Sequence, residues 1–211
     1  MPASTPLDPE RILAATEQIL RRHGPAKATV VDVARSLGVS HAAVYKHFGS
    51  KQALREAVTR RWLDKSRDEL AAIAGDERIP PPRRLRVWLH AVLAGKQAKI
   101  REDPELFDAY GVLAAAHSIV AEDHVADLLA QLEQIIAAGA ADGSFTTTDP
   151  AATARTVYLA TARFHHVAHA GDWLRPDVDD DLDAVCTLLL AGLRAMPGAA
   201  SDPTDHKSRR E

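Results

Sequence analysis

Between positions 40 and 51 the chain gathers hydroxyl, imidazole and ammonium groups around a few small residues. Ser40, His41, Tyr45, Lys46 and His47 can donate hydrogen bonds to phosphate oxygens and to base edges. Ala42 and Ala43 leave room for a helix to approach another surface closely. Ser50 followed by Lys51 adds a helix N-terminus with a cation beside it, which suits a phosphate contact. The competing reading is an ordinary hairpin of helices inside a core. A packed interior would not accept Tyr45, Lys46 and His47 together in so short a segment.

Such a group of side chains needs two helices held at a fixed angle. Residues 29–48 have that pattern. Thr29 and Asp32 resemble a capping box, with Asp in place of the usual Glu, and open one helix. Ala34 is small where two helices cross. Gly38 can take the positive φ that a three-residue turn demands. Val33, Leu37, Val39 and Val44 are apolar where the two helices meet. The logic is that of a helix-turn-helix whose second helix lies in a major groove.

The charge agrees. Net charge is −3 over 211 residues, but residues 1–67 carry 12 Lys/Arg against 6 Asp/Glu, and residues 68–211 carry 14 against 23. A basic N-terminal third on an acidic body suits one part that meets a polyanion and another that does not. Hydrophobic residues at 46% and charged residues at 26% describe a soluble globular chain. The single cysteine, Cys186, excludes an internal disulfide framework and a Cys-rich zinc module. No apolar run reaches the roughly 18 residues needed to span a bilayer. The first residues lack the basic and apolar regions of a signal peptide, so no membrane partner and a cytoplasmic location are expected.

Nearly every segment reads as helix, and strand alternation is missing. About nine helices are expected. The first starts at Asp8-Pro9, carries Ile12, Thr16, Ile19, Leu20 and His23 on one face, and stops at Gly24-Pro25. The next two are those of the helix-turn-helix. A fourth runs from Lys51 to about Ala74, and a fifth follows the prolines at 80–82. Asp103-Pro104 is expected to cap a sixth, and a seventh spans about 118–141. Asp149-Pro150 caps an eighth, to about Ala170, and a ninth follows Pro176-Asp177. The division expected is 1–52 for nucleic-acid binding, 53–197 for ligand binding and dimerisation, and a disordered tail at 198–211.

The run Val44-Tyr45-Lys46-His47-Phe48-Gly49-Ser50-Lys51-Gln52-Ala53-Leu54, after Thr29 to Ala34 and Gly38-Val39-Ser40, resembles the signature of TetR-type bacterial transcriptional regulators. The resemblance implies an all-α homodimer. Three N-terminal helices would bind operator DNA, the others would hold a small-molecule pocket, and the last two would close the dimer's four-helix bundle. Carried over by position, Tyr45, His47 and Lys51 would contact phosphates and Thr29 the DNA backbone. Ser40, His41, Ala43 and Lys46 would face the groove. Phe48 and Leu54 would belong to the core. Repression, with release by an effector, is the mode implied.

The apolar stripes of the C-terminal part nominate Trp88, Phe107, Tyr110, Leu113, His117, Val125, Leu128 and Phe164 as pocket lining, and equally as helical core. With an acidic surround, they suit a small, mostly apolar, neutral or weakly polar organic effector. No cofactor and no catalysis are expected. Two alternatives remain open. His165, His166 and His169 could hold a metal, with His165 and His169 on one helix face; no HExxH pattern or nearby carboxylate supports them. The chain could also bind DNA without any effector. Cys186, on the apolar stripe of the last helix, reads as an inert buried thiol at or near the dimer seam.

Overall fold

Short polar side chains placed one residue ahead of apolar helical segments set most of the helix starts. The computed structural model describes residues 7–27, 29–116 and 118–194. These residues form α1 (Pro9–Lys27), α2 (Val30–Leu37), α3 (His41–His47), α4 (Lys51–Gly75), α5 (Pro81–Glu102), α6 (Pro104–Ala115), α7 (Ile119–Ala141), α8 (Pro150–Ala160) and α9 (Val178–Arg194). Two short 3-10 helices, Ala162–Phe164 and Val167–Asp172, lie between α8 and α9. The all-α expectation holds among the described residues. The expected tail at 198–211 and His117 lie outside them.

Asp8 accepts from the Arg11 N–H at 2.8 Å, Ser40 from Ala43 at 3.2 Å, Ser50 from Ala53 at 2.9 Å and Asp149 from Ala152 at 2.9 Å. Each such cap contributes about 1 kcal/mol by satisfying an otherwise orphaned donor. Pro81, Pro104 and Pro150 occupy first-turn positions where no N–H is needed. α1 is interrupted at Gly24, with φ 71° and ψ 170°, and one more turn follows to Lys27. On that face Ile12, Thr16, Ile19 and Leu20 are buried, but His23 is exposed.

Two sequence expectations fail here. Asp103 makes no capping bond to α6, because both its oxygens are taken: Arg21 of α1 binds them at 2.5 and 3.2 Å, and the Trp62 indole N–H donates at 3.1 Å. And α8 stops at Ala160, not near Ala170. No Gly or Pro marks this end. The Thr161 hydroxyl donates to the Val157 carbonyl at 2.8 Å, and His165 Nε2 lies 2.9 Å from the Tyr158 carbonyl. The Trp173 indole donates to the Arg163 carbonyl at 2.8 Å. Side chains thus capture the carbonyls of the last helical turn and the 3-10 segment that follows, and the helical ladder ends there.

α4 is the central element and packs against α1, α5, α6 and α7, while α1 also packs on α2 and α6, α7 on α8, and α5 on α9. It runs unbroken through residue 52, where the sequence suggests a boundary. All three tryptophans, Trp62, Trp88 and Trp173, are buried.

Gly139 of α7 shows how closely this core is filled. A Cβ there would lie 2.0 Å from Cδ2 of Phe145, a ring that is itself 3% exposed. Gly139→Ala should therefore force the ring out of place and destabilise the protein by about 1–3 kcal/mol. Thermal unfolding would read this as a drop of several degrees. An unchanged midpoint would mean that the ring can swing aside freely.

Candidate DNA interface and ligand cavity

The turn between α2 and α3 follows from Gly38. Its φ of 68° and ψ of 29° are left-handed. Its N–H donates to Arg35 O at 3.2 Å, and that of Val39 to Ala34 O at 3.0 Å. This is the Schellman arrangement, and it closes α2 sharply enough for Ser40 to cap α3 two residues later. Val33, Ala34 and Val44 are buried at the contact of the two helices. With Val44 turned inward, α3 presents the rest of its surface outward.

His41, Tyr45, Lys46, His47 and Lys51 are exposed, as is Ser40, whose hydroxyl is the α3 cap. Tyr45 is the most exposed aromatic residue, at 44%. Ala43 and Thr29 are half-buried. Thr29 is committed to α2: its hydroxyl accepts from the Asp32 N–H at 3.2 Å and donates to the Asp32 carboxylate at 2.5 Å. That hydroxyl bond, followed by Arg35, holds the Asp32 carboxyl below its ordinary range. Asp32 thus binds the Thr29 hydroxyl where a capping box would use the backbone N–H. Phe48 packs on the core and Leu54 is buried, as expected.

The ion pairs separate the two ends of this region. Arg21, Arg60, Arg61, Lys65 and Arg67 are each paired with a carboxylate. Among the described residues, Lys46 and Lys51 have no such partner. The positive charge that remains free for a polyanion therefore includes α3 and the first turn of α4.

The expected pocket residues divide. Trp88 is core: its indole donates to Gln131 Oε1 at 2.9 Å between α5 and α7. Phe107 stacks edge-on against Trp62 and Trp173, and Leu113 and Phe164 are buried. Tyr110, Val125 and Leu128 do line a cavity, of about 360 Å³, between α5, α6, α7 and the end of α8. That volume lies in the range of small-molecule sites. The sequence reading missed Lys96, His124 and Tyr158, which also line it, as do His165 and His166. A signal existed for Lys96. It continues the buried stripe of Leu85, Trp88, Leu89 and Val92, where a charge is unusual.

Burial sets the electrostatics of this cavity. The Tyr110 phenol is pushed up to about 12 by burial, then by Tyr158. His124 is pushed down to about 2, by burial and then by Lys96, and His165 to about 4 by burial. Both imidazoles are neutral at pH 7. His165 rests on the Tyr158 ring, 4.2 Å between centroids.

The helix face proposed for His165 and His169 does not exist, because α8 ends before both. His165 is buried against Tyr158, whereas His166 and His169 are exposed, with ring centroids 6.3 Å apart. Among the described residues no three His, Cys, Asp or Glu side chains converge as metal ligands. No helix among them is long and apolar enough to cross a membrane. Cys186 is buried within the subunit, and burial pushes its thiol up to about 11.

Residues 12–58 match the family described as bacterial regulatory proteins, tetR family, and residues 81–186 match the tetracyclin repressor-like C-terminal domain. An uncharacterized HTH-type transcriptional regulator of Mycobacterium tuberculosis is 30% identical over 102 residues, 48% of each chain. The match thus spans about half the length of this curated relative. Two solved structures share the fold. A protein with unknown function from Rhodococcus sp. RHA1 has a TM-score of 0.70 at 23% identity, covering 92% of this chain and 99% of its own. SmeT, the repressor of the Stenotrophomonas maltophilia multidrug efflux pump SmeDEF, has a TM-score of 0.59 at 23% identity, covering 90% of each. With the helix-turn-helix inside the first matched segment and the cavity helices α5 to α8 inside the second, the chain belongs to the tetR family of bacterial regulatory proteins, a family of non-enzymatic helix-turn-helix regulators.

Proposed function

We propose that the protein is a transcriptional repressor that binds operator DNA as a homodimer and is released by a small, mostly apolar organic effector. It acts in the cytoplasm, where bacterial operators lie. The observation that carries this reading is α3, with Tyr45, Lys46 and His47 exposed beside Lys51 and no carboxylate paired with either lysine. The similarity to SmeT, itself a repressor, supports the mode of action.

In this reading α3 enters the major groove. Tyr45, His47 and Lys51 hold phosphates, Thr29 lies along the backbone, and Ser40, His41, Ala43 and Lys46 face the bases. The described residues up to α3 and the first turn of α4 form the DNA-binding unit, and the rest carries the cavity and dimer seam. Release is a population shift. Tyr110 lines the cavity and lies 6.3 Å from the Trp62 ring. Trp62 donates to Asp103, which holds Arg21 of α1. A ligand that displaces Tyr110 is thereby linked, through Trp62, Asp103 and Arg21, to α1, the helix on which α2 rests, and in this reading the spacing of the two recognition helices changes.

The test is a gel shift at stated salt with the DNA flanking the protein's own gene. Lys51→Ala and Tyr45→Phe should weaken binding to every sequence, and losing the Lys51 contact should lower the salt slope by about one. His41→Ala or Lys46→Ala should instead relax operator preference by about 1–3 kcal/mol at one position per half-site. Unchanged affinity and slope for Lys51→Ala would remove it from the interface. An equal loss on operator and random DNA for His41→Ala would make that residue a backbone contact.

A further inference from the structure

Three charged side chains are buried among the described residues: Glu17, Arg84 and Lys96. Two are neutralised or hydrogen-bonded in ways that explain their burial. Glu17 is paired with Arg21, Arg61 and Lys65. The Arg84 guanidinium donates to the carbonyls of Ile79 and Ala74. Lys96 has no counter-ion, and its ammonium has only a neutral imidazole as hydrogen-bond partner among the described residues. It is 6% exposed and lines the cavity. Its Nζ lies 3.2 Å from Nε2 of the neutral His124 and 5.2 Å from the centre of the Tyr110 ring. Among the described residues no carboxylate pairs with it, and the charge that bears on it is another cation, Lys99. The other ionisable groups around the cavity are Tyr110, Tyr158, His165, His166 and Glu122. Glu122 is exposed and makes no ion pair with Lys96. A buried cation without a counter-ion is costly, and an anion delivered to it removes that cost.

We propose that this cavity binds a monocarboxylate with an apolar body, its carboxylate on the Lys96 ammonium and its body against Ala121, Val125, Leu128 and Leu129. The inference rests on the reading of the cavity as the effector site and names the chemical class. One point charge with no arginine fork in the lining suits a single carboxylate better than a phosphate. The acidity of the C-terminal part, which favours a neutral ligand, is reversed locally by Lys96 and Lys99. Burial, then Lys99, brings the Lys96 amine down to about 7. A bound carboxylate raises it again, so above pH 7 binding must take up a proton. Affinity should then fall toward tenfold per pH unit as pH rises above 7.

Calorimetric titration of the full chain with octanoate and phenylacetate, beside octanamide and phenylacetamide, tests this. The acids should bind wild type roughly ten- to hundredfold more tightly than the amides of the same shape. Lys96→Met should abolish that preference without lowering the thermal midpoint, since it removes a buried charge. Lys96→Gln provides the same comparison should the methionine variant fold poorly. Equal affinity for acid and amide, a preference that persists without Lys96, or no binding of any probe would each overturn the inference. Val125→Trp separates the two levels. If it excludes amides that bind wild type as well as the acids do, the cavity reading stands and the carboxylate fails. If every probe still binds this variant unchanged, the cavity reading itself fails.

Discussion

Leu188→Arg is expected to convert the protein into a monomer that binds its operator roughly a hundredfold or more weakly. Leu188 of α9 and Leu159 of α8 are the two most exposed large apolar side chains among the described residues, at 75% and 65%. Scattered exposed leucines are ordinary, but these two lie on the pair of helices that the family resemblance assigns to the dimer seam. On α9 the inward stripe is Leu182, Cys186 and Leu190. Leu182 and Cys186 are therefore spent inside the subunit, while Val185, Leu189 and Leu193 are partly buried. Leu188 is free for a partner. An arginine there meets only solvent in the monomer and does not threaten its fold. Two of them in an isologous seam place like charges in a desolvated contact. Losing the second half-site forfeits an avidity of about 10² to 10⁴. The added positive charge would by itself favour DNA, so weaker binding cannot come from charge. Light scattering and a gel shift check both halves. A variant that remains a dimer with full affinity would move the seam elsewhere.

Trp62→Ala should cost about 3–5 kcal/mol of stability, the largest single loss expected in the core. Trp62 is 2% exposed, stacks against Phe107 and Tyr110, and lies under the Lys99 ammonium at 5.1 Å. It also joins α4 to the α5–α6 junction through Asp103. Trp62→Phe keeps most of the ring packing and removes only the indole donor, so it should cost much less. The pair also separates packing from communication. Asp103 is held below the usual carboxylate range, first by the Arg21 hydrogen bond and to a smaller degree by Trp62. Its contribution is present above the ordinary carboxylate pKa and is lost as pH falls toward the lowered value. Trp62→Phe should therefore lose more stability at pH 7 than at pH 4, and blunt effector response while leaving operator affinity close to wild type. Denaturant unfolding at pH 7 and pH 4, with a gel shift, would measure this. Equal stability losses for Ala and Phe would show that the hydrogen bond, not the ring, matters most.

The helix-turn-helix was legible because its determinants are local. Thr29, Gly38, Ser40 and Ser50 act through hydrogen bonds and dihedrals within four or five residues of themselves, and the inward positions Val30, Val33 and Ala34 of α2 repeat at helical spacing. Sequence by itself therefore determined the all-α class, α2, α3, the turn between them and which side chains of α3 face outward. The C-terminal site was a different matter. Trp88, Phe107, Tyr110 and Phe164 share one composition and one periodicity, and only the crossing of α5, α6, α7 and α8 made Tyr110 a cavity wall and the other three core. The end of α8 also escaped, because its stop is made by Thr161, His165 and Trp173 folding back onto carbonyls. Asp103 looked like a cap until Arg21, 82 residues away, claimed its carboxylate. Lys96 was the visible anomaly, a charge on an apolar stripe. Whether such a lysine reaches solvent, finds a carboxylate or remains unpaired at a cavity depends on neighbours brought from other helices, and that only the tertiary structure decided.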